Sequence, residues 1–325
     1  MQPGSSFFLV NEMLETPGLI ARFDPHATHV WAEAMKGHPL LLTGEGSSRI
    51  FPAKNMIAQA LRSGGKHIVT EGARQAAEYN LDGYMVLAAS NSGRTKEVNS
   101  LFEKLAKESV PRYSVVATPA SRLAELSTDT VTLSCGVEKA VAAGKSVVEQ
   151  ALFFQSLLGG REWGGQEQAA KQCDNILKQD IDARIIAVVA DAHIVYFSGR
   201  NDGVAEELAL KANEIARKKS MYLEGTYALH GVEEVLLQDE VVVLVEPFRD
   251  DIEKYQKVLV AGAGVNVVAI SSFDTPFPTI KIPSLRGFDG YYRLLAGWNL
   301  LVSAGIAAGV NIDKPERVRK VGNEI

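Results

Sequence analysis

Gly83-Tyr-Met-Val-Leu-Ala-Ala89 runs straight into Ser90-Asn91-Ser92-Gly93-Arg94-Thr95-Lys96-Glu97, and a helically spaced segment, Glu97-Val-Asn-Ser-Leu-Phe-Glu-Lys-Leu-Ala106, follows. An apolar strand that ends in three hydroxyl side chains and a glycine, just before a helix, suits an anion. The unpaired N–H groups of the first helical turn and the positive end of the helix dipole converge there. Gly93 permits close backbone approach, and Ser90, Ser92 and Thr95 can each donate to a phosphate oxygen. A simple N-cap needs one hydroxyl, not three around a glycine.

A second stretch has the same grammar. Pro39-Leu-Leu-Leu-Thr43 reads as a buried strand, Gly44-Glu45-Gly46-Ser47-Ser48 as a turn, and residues 50–61 as a helix. The Gly-x-Gly of this turn is not completed to the six-residue dinucleotide fingerprint, because Arg49 holds the last position. Ligands of open parallel sheets sit beyond the carboxyl ends of the strands, so the two turns are expected to meet over one ligand.

From residue 38 to about 133, strands at 40–42, 66–70, 83–89, 112–117 and 130–133 alternate with helices, which predicts a parallel sheet covered on both faces. A helix is expected over 140–158, and a leading helix over 7–23, broken by Pro17. The pattern then recurs, with strands at 194–197, 241–245 and 266–270 and helices at 204–218 and 251–263. The expected fold is α/β, two tandem units, each a five-stranded parallel sheet between helix layers. The division is placed at 165/166, giving 1–165 with the anion loops and 166–325 with the remaining groups. In the second half the turn after 241–245 is Glu246-Pro247-Phe248-Arg249, which would repel phosphate, so one anion site per chain is expected.

Bulk composition excludes several classes. The chain has 325 residues, 46% of them hydrophobic and 22% charged, as in a globular protein. A net charge of −5 without a basic, aromatic-laced stripe argues against a nucleic-acid partner. Cys135 and Cys173 have no metal or redox spacing, so neither a metal nor another cofactor is expected. No signal peptide opens the chain, and a cytoplasmic location is expected. The apolar run 294–310 is slightly short for a membrane span and reads as a buried helix.

The helix from Val204 carries Glu207, Lys211 and Glu214 on one face, which by spacing alone reads as a solvated, salt-bridged surface. His230 falls in a loop-like stretch, Tyr227-Ala-Leu-His230-Gly231, and the basic segment 313–322 reads as a frayed tail.

These blocks resemble the sugar isomerase (SIS) family. The two hydroxyl loops resemble its phosphate loops. Glu138-Lys-Ala-Val-Ala-Ala-Gly-Lys145 resembles its Glu-x-x-Val-Ala-Ser-Thr-Lys block. Glu207-Leu-Ala-Leu-Lys211-Ala-Asn-Glu214-Ile215, His230-Gly231 and Asp313-Lys-Pro-Glu-Arg-Val-Arg-Lys320-Val321 resemble its catalytic blocks. The whole is similar to the isomerase domain of glucosamine-6-phosphate synthase and to stand-alone glucosamine-6-phosphate deaminases and fructosamine-6-phosphate deglycases.

The resemblance implies that Ser48, Ser90, Asn91, Ser92 and Thr95 bind a 6-phosphate, with Gly46, Ser47, Val141 and Glu207 also at the substrate. It implies that Glu214 moves a proton between C1 and C2 and that Lys211 holds or polarises the substrate nearby. Lys320 would meet the sugar carbonyl. His230 would open the ring from the neighbouring subunit of a homodimer. Ala143-Gly144 replaces the family's Ser-Thr, and Val232 its Pro after His-Gly, whereas the His-Gly-x-x-Glu run resembles the deglycase branch. No glutaminase domain precedes the Glu12–Pro17 segment, so breakdown or isomerisation is expected rather than synthesis. A deaminase or isomerase of a hexose 6-phosphate is the leading expectation. A deglycase releasing an amino acid and a non-catalytic sugar-phosphate sensor are the alternatives.

Overall fold

The computed structural model describes residues 1, 4–65, 67–159, 163 and 165–317. They form two compact units, one of residues 18–166 and the other of residues 1–17 with 167–317.

In the 18–166 unit, strands β1 (Leu40–Gly44), β2 (Ile68–Gly72), β3 (Met85–Ser90), β4 (Arg112–Val116) and β5 (Asp129–Thr132) form one parallel sheet in the order β2-β1-β3-β4-β5. Leu40 pairs with Ile68 on one side and with Met85 on the other. β1 and β3 are buried along their whole length, as expected for apolar strands covered on both faces. The helix Lys96–Lys107 places Val98, Leu101, Phe102 and Leu105 against Leu41, Val86, Ala88 and Val116. That 3/4 spacing is the apolar stripe of an amphipathic helix.

The other unit holds β6 (Ile194–Gly199), β7 (Lys219–Glu224), β8 (Val241–Val245), β9 (Asn266–Ser271) and β10 (Thr279–Lys281), in the order β10-β9-β8-β6-β7. All its pairings are parallel. Counted within its own sheet, this order repeats that of the first. Residues 294–307 of the apolar run lie in the helix Asp289–Ala307, which is buried over most of its length, and among the described residues no helix is long and apolar enough to cross a membrane.

Several expected elements changed. The leading helix is two, Phe8–Leu14 and Thr16–Arg22. The break falls at Glu15, and Pro17 sits in the first turn of the second helix, where its missing N–H has no partner to lose. The expected 140–158 helix spans only Lys145–Ser156, because Glu138 turns back to bind the backbone N–H of Gly144 and Ser146. The 204–218 helix stops at Glu214, and Arg217 has a left-handed φ of 54°. Residues 251–263 are a short α-helix, Ile252–Tyr255, continued by a π-helical stretch, Gln256–Ala263. Five strands are expected in the second sheet, but the sequence locates only three; the other two are β7 and β10. β7 is an edge strand of mixed polarity, and β10 has only three residues.

One buried ion pair sets the start of the helix Val204–Glu214. The Asp202 carboxylate accepts from Val204 N at 3.2 Å and from Arg293 Nη1 at 2.9 Å, and Arg293 Nε donates to the Asp289 carbonyl at 3.0 Å. Both side chains are buried. Arg293→Met would leave Asp202 charged and uncompensated and should cost about 3–5 kcal/mol. Urea unfolding measures this, and Asp202→Leu/Arg293→Met should recover most of the loss. A change below about 1 kcal/mol in the single variant would mean that the pair does not hold this helix start.

Candidate functional site

The sheet of the 18–166 unit reverses its winding between β1 and β3, with β2 on one flank and β4 and β5 on the other. At such a switch point the loops leaving two neighbouring strands diverge and open a crevice at the carboxyl edge. The two loops there are the two hydroxyl-rich stretches. Their closeness is visible at Gly44, where a Cβ would stand 2.9 Å from the Ala89 carbonyl oxygen.

The β3 loop is held in shape by its own hydroxyls. Ser90 is buried, its Oγ accepts from Gly93 N at 3.1 Å and lies 3.0 Å from Thr95 Oγ1. Ser92 Oγ accepts from Arg94 N at 3.2 Å, which leaves its proton available to a ligand. Gly93 has a left-handed φ of 64°, and a Cβ there would lie 2.1 Å from Ser121 Oγ, so no other residue fits. The Gly93 carbonyl accepts from Leu123 N at 3.0 Å, and the Asn91 carbonyl from Ala117 N at 2.9 Å. The side chain of Asn91 donates from Nδ2 to the Gly136 carbonyl at 3.3 Å.

In the β1 loop, residues Gly46–Ser48 form one 3-10 turn, with Gly46 exposed, Ser47 buried and Ser48 half-buried. Ahead of them the Glu45 carboxylate accepts from Ala73 N at 2.9 Å and so ties the loop to the end of β2. Burial holds the Glu45 carboxyl above its ordinary range, opposed by the N–H groups of Ala73 and Arg74 and reinforced by the nearby Glu97. Arg49, half-buried at the start of the helix Ile50–Arg62, and the exposed Arg94 add positive charge beside the hydroxyls. Neither arginine was singled out from sequence, although each directly adjoins a hydroxyl loop.

Val141 is half-buried in the bent segment that precedes the helix Lys145–Ser156. Two buried carboxylates fasten that segment. Glu138 accepts from Gly144 N (2.8 Å), Ser146 N (3.2 Å) and Ser146 Oγ (2.7 Å). Glu149 accepts from Ser134 N (2.8 Å), Ser134 Oγ (2.7 Å) and Cys135 N (2.8 Å).

In the other unit, the expected solvated face is instead interior. Glu207 and Lys211 are fully buried, and the Glu214 side chain is 26% exposed. Lys211 Nζ stands 2.7 Å from Glu214 Oε2 and 3.5 Å from Glu207 Oε1. Helical spacing identifies a shared face but not what covers it. Here β6, β7 and the helix Asp289–Ala307 pack against this helix. The arrangement is a partly exposed carboxylate backed by a dry ammonium group.

His230 is exposed, just after the 3-10 turn Tyr227–Leu229, and among the described residues no hydrogen bond or ion pair links it to Glu214. Lys320 lies outside the described residues. At the switch point of the second sheet, between β6 and β8, the strand ends are joined by their own side chains. Glu246 takes Ser272 N at 3.0 Å and Ser272 Oγ at 2.6 Å, while Arg200 donates to the Glu246 carbonyl and lies 4.3 Å from the Phe248 ring centroid. Among the described residues, no group of three or more His, Cys, Asp or Glu side chains could hold a metal ion.

No family model matches the chain. It is 24% identical over 259 residues to a glutamine–fructose-6-phosphate aminotransferase (isomerizing) of Streptococcus pyogenes, a match covering 73% of this chain and 43% of the relative. The chain thus spans less than half the length of the curated relatives it matches. Among solved structures, the C-terminal domain of glucosamine-fructose-6-phosphate aminotransferase from Francisella tularensis superposes with a TM-score of 0.77 at 19% identity, covering 97% of this chain and 100% of that one. Glucosamine-6-phosphate deaminase from Thermotoga maritima superposes with a TM-score of 0.74 at 18% identity, covering 96% and 98%. Two parallel five-stranded sheets, the hydroxyl loops at a switch point and these likenesses agree: the chain is a homologue of the isomerase domain of glutamine–fructose-6-phosphate aminotransferases and has the sugar isomerase (SIS) fold.

Proposed function

We propose that the chain is an enzyme of the glucosamine-6-phosphate deaminase or isomerase type, which interconverts an amino-sugar 6-phosphate and fructose 6-phosphate. The observation that carries this reading is the Glu207–Lys211–Glu214 cluster. A lysine buried completely between two carboxylates, 2.7 Å from Glu214 and 3.5 Å from Glu207, carries a desolvation cost that apolar packing would not, so the cluster is better explained by a task than by stability. A non-catalytic sensor would have no need of it.

In this reading the hydroxyls of Ser48, Ser90, Ser92 and Thr95, with Asn91, bind the 6-phosphate dianion and fix the sugar chain. Such orientation accounts for much of the barrier reduction in enzymes of this kind. Gly46, Ser47 and Val141 adjoin the sugar. Glu214 takes the proton from one of C1 and C2 and returns it to the other. Lys211 holds that carboxylate in place, and Glu207 holds Lys211. The Glu214 Oε1 atom makes no hydrogen bond among the described residues, which suits a group that must accept a proton. Lys320 is assigned to the sugar carbonyl.

His230 is assigned to ring opening in the site of the other subunit of a homodimer. What supports this is its surroundings. The histidine is exposed, and exposed apolar side chains flank it in the sequence, Tyr227, Val235 and Leu237, of the kind that an assembly would cover. A second reading, a deglycase that releases an amino acid from a sugar 6-phosphate adduct, is favoured by the run His230-Gly231-Val232-Glu233-Glu234, which resembles that branch. Ammonia release from glucosamine 6-phosphate supports the first reading, and amino acid release from an adduct the second.

Glu214→Gln should reduce turnover of glucosamine 6-phosphate by about a hundredfold or more, with fructose 6-phosphate binding nearly unchanged; undiminished turnover would remove Glu214 as the proton carrier. Mixing the inactive Glu214→Gln and His230→Ala proteins, with exchange of subunits, should restore about a quarter of wild-type activity, because half of the dimers are mixed and each carries one intact site. No recovery would place His230 in the site of its own chain, and an active His230→Ala protein would place it outside the site.

A further inference from the structure

The chain leaves β5 at the edge of its sheet, two strands away from β3, yet Asn91 in the β3 loop is bonded to Gly136 only a few residues later. Residues 133–144 therefore return across the carboxyl edge of β4 toward the hydroxyl loops. They have no helix or strand ladder to hold them, so their backbone groups need other partners.

Those partners are two carboxylates. At the near end, Glu149 takes two N–H groups and a hydroxyl from Ser134 and Cys135. At the far end, Glu138 takes two N–H groups and a hydroxyl from Gly144 and Ser146. Gly144 N and Ser146 N belong to the unpaired donors at the start of the helix Lys145–Ser156, so Glu138 also meets the positive end of that helix. Both carboxylates are almost wholly buried, at 2% and 3% exposure. Charge-assisted bonds of this kind are short and geometrically exacting. Val141 lies in the middle of the span, and Asn91 links the span to the anion loop.

We infer that Glu138 is a positioning residue, whose buried carboxylate sets the 138–144 segment, with Val141, at a defined distance from the phosphate loop so that it meets the carbon chain of the bound sugar and not its phosphate. The inference rests on the phosphosugar reading above. A role confined to stability explains the arrangement poorly, since well-packed apolar residues often stabilise as much as buried charge or more. What the carboxylate adds is one fixed backbone path between two loops that no ladder connects.

The test compares two ligands, fructose 6-phosphate by calorimetry and inorganic phosphate by phosphorus NMR, on the full-length wild type, Glu138→Gln, Val141→Ala and Ser92→Ala. Glutamine keeps one acceptor oxygen but brings an N–H₂ group against one of the three donors. Glu138→Gln should weaken fructose 6-phosphate about tenfold while leaving inorganic phosphate within about twofold of wild type. Val141→Ala, which leaves the frame intact, should show the same selective loss to a smaller extent and carries the test if Glu138→Gln does not fold. Ser92→Ala should weaken both ligands. If Glu138→Gln, or Val141→Ala in its place, weakens both ligands equally or neither, while wild type binds and Ser92→Ala responds, the positioning role is refuted and the phosphosugar reading stands. If wild type binds no fructose 6-phosphate, the phosphosugar reading fails and takes the inference with it.

Discussion

The adjacency of β1 and β3, two wholly buried parallel strands from which the sheet winds in opposite directions, is the constraint on which the candidate site depends. Parallel strands cannot turn back on themselves, so each must hand the chain to a crossover at its carboxyl end. At a winding reversal, two such crossovers leave in opposite directions, and the space between them is lined by backbone N–H groups with no ladder partner. In this chain the loops leaving the two strands carry Ser48 on one side and Ser90, Ser92 and Thr95 on the other. The second sheet has the same strand order, but there the strand ends carry other groups: Glu246 binds Ser272, and Arg200 donates to the Glu246 carbonyl. One topology thus carries two different sets of side chains at its carboxyl edge.

Around this frame the chain places charge where burial makes it expensive, and in each instance the charge fixes backbone or side-chain geometry. Asp202 and Arg293 hold the start of the helix Val204–Glu214. Lys211 holds Glu214 within that helix. Glu45 ties the β1 loop to β2, and Glu138 and Glu149 fasten a segment that lacks any ladder. Each carboxylate accepts more than one hydrogen bond or faces a cation, which is the condition under which buried ions are tolerated. Under the proposed function, a site holding a dianion and a carbon acid in register would gain from such stiffness.

Much of this was legible in the residues alone. The strands 40–44, 85–90 and 241–245 are mainly apolar and buried throughout, as doubly covered parallel strands are, and the turns after the first two carry the hydroxyls and glycines in plain order. The edge strands Lys219–Glu224 and Thr279–Lys281 were not legible, because a half-exposed or three-residue strand has neither a run nor a clean alternation. The start of the helix at Lys145 was overrun because the bond from Gly144 to Glu138 is made by folding back, which helical spacing does not encode. Glu207 and Lys211 were read as solvated because periodicity specifies the face and not its cover. Arg49 and Arg94 carry no anion-binding signal in the sequence, because charged residues beside a turn are common and only their placement next to the loops gives them meaning.

A crystal structure of the protein soaked with fructose 6-phosphate measures the central claim directly. The account predicts the phosphate within hydrogen-bond distance of the hydroxyls of Ser48, Ser90, Ser92 and Thr95, at the carboxyl edge of β1 and β3. Phosphate density at any other place, with those four hydroxyls untouched, would contradict it.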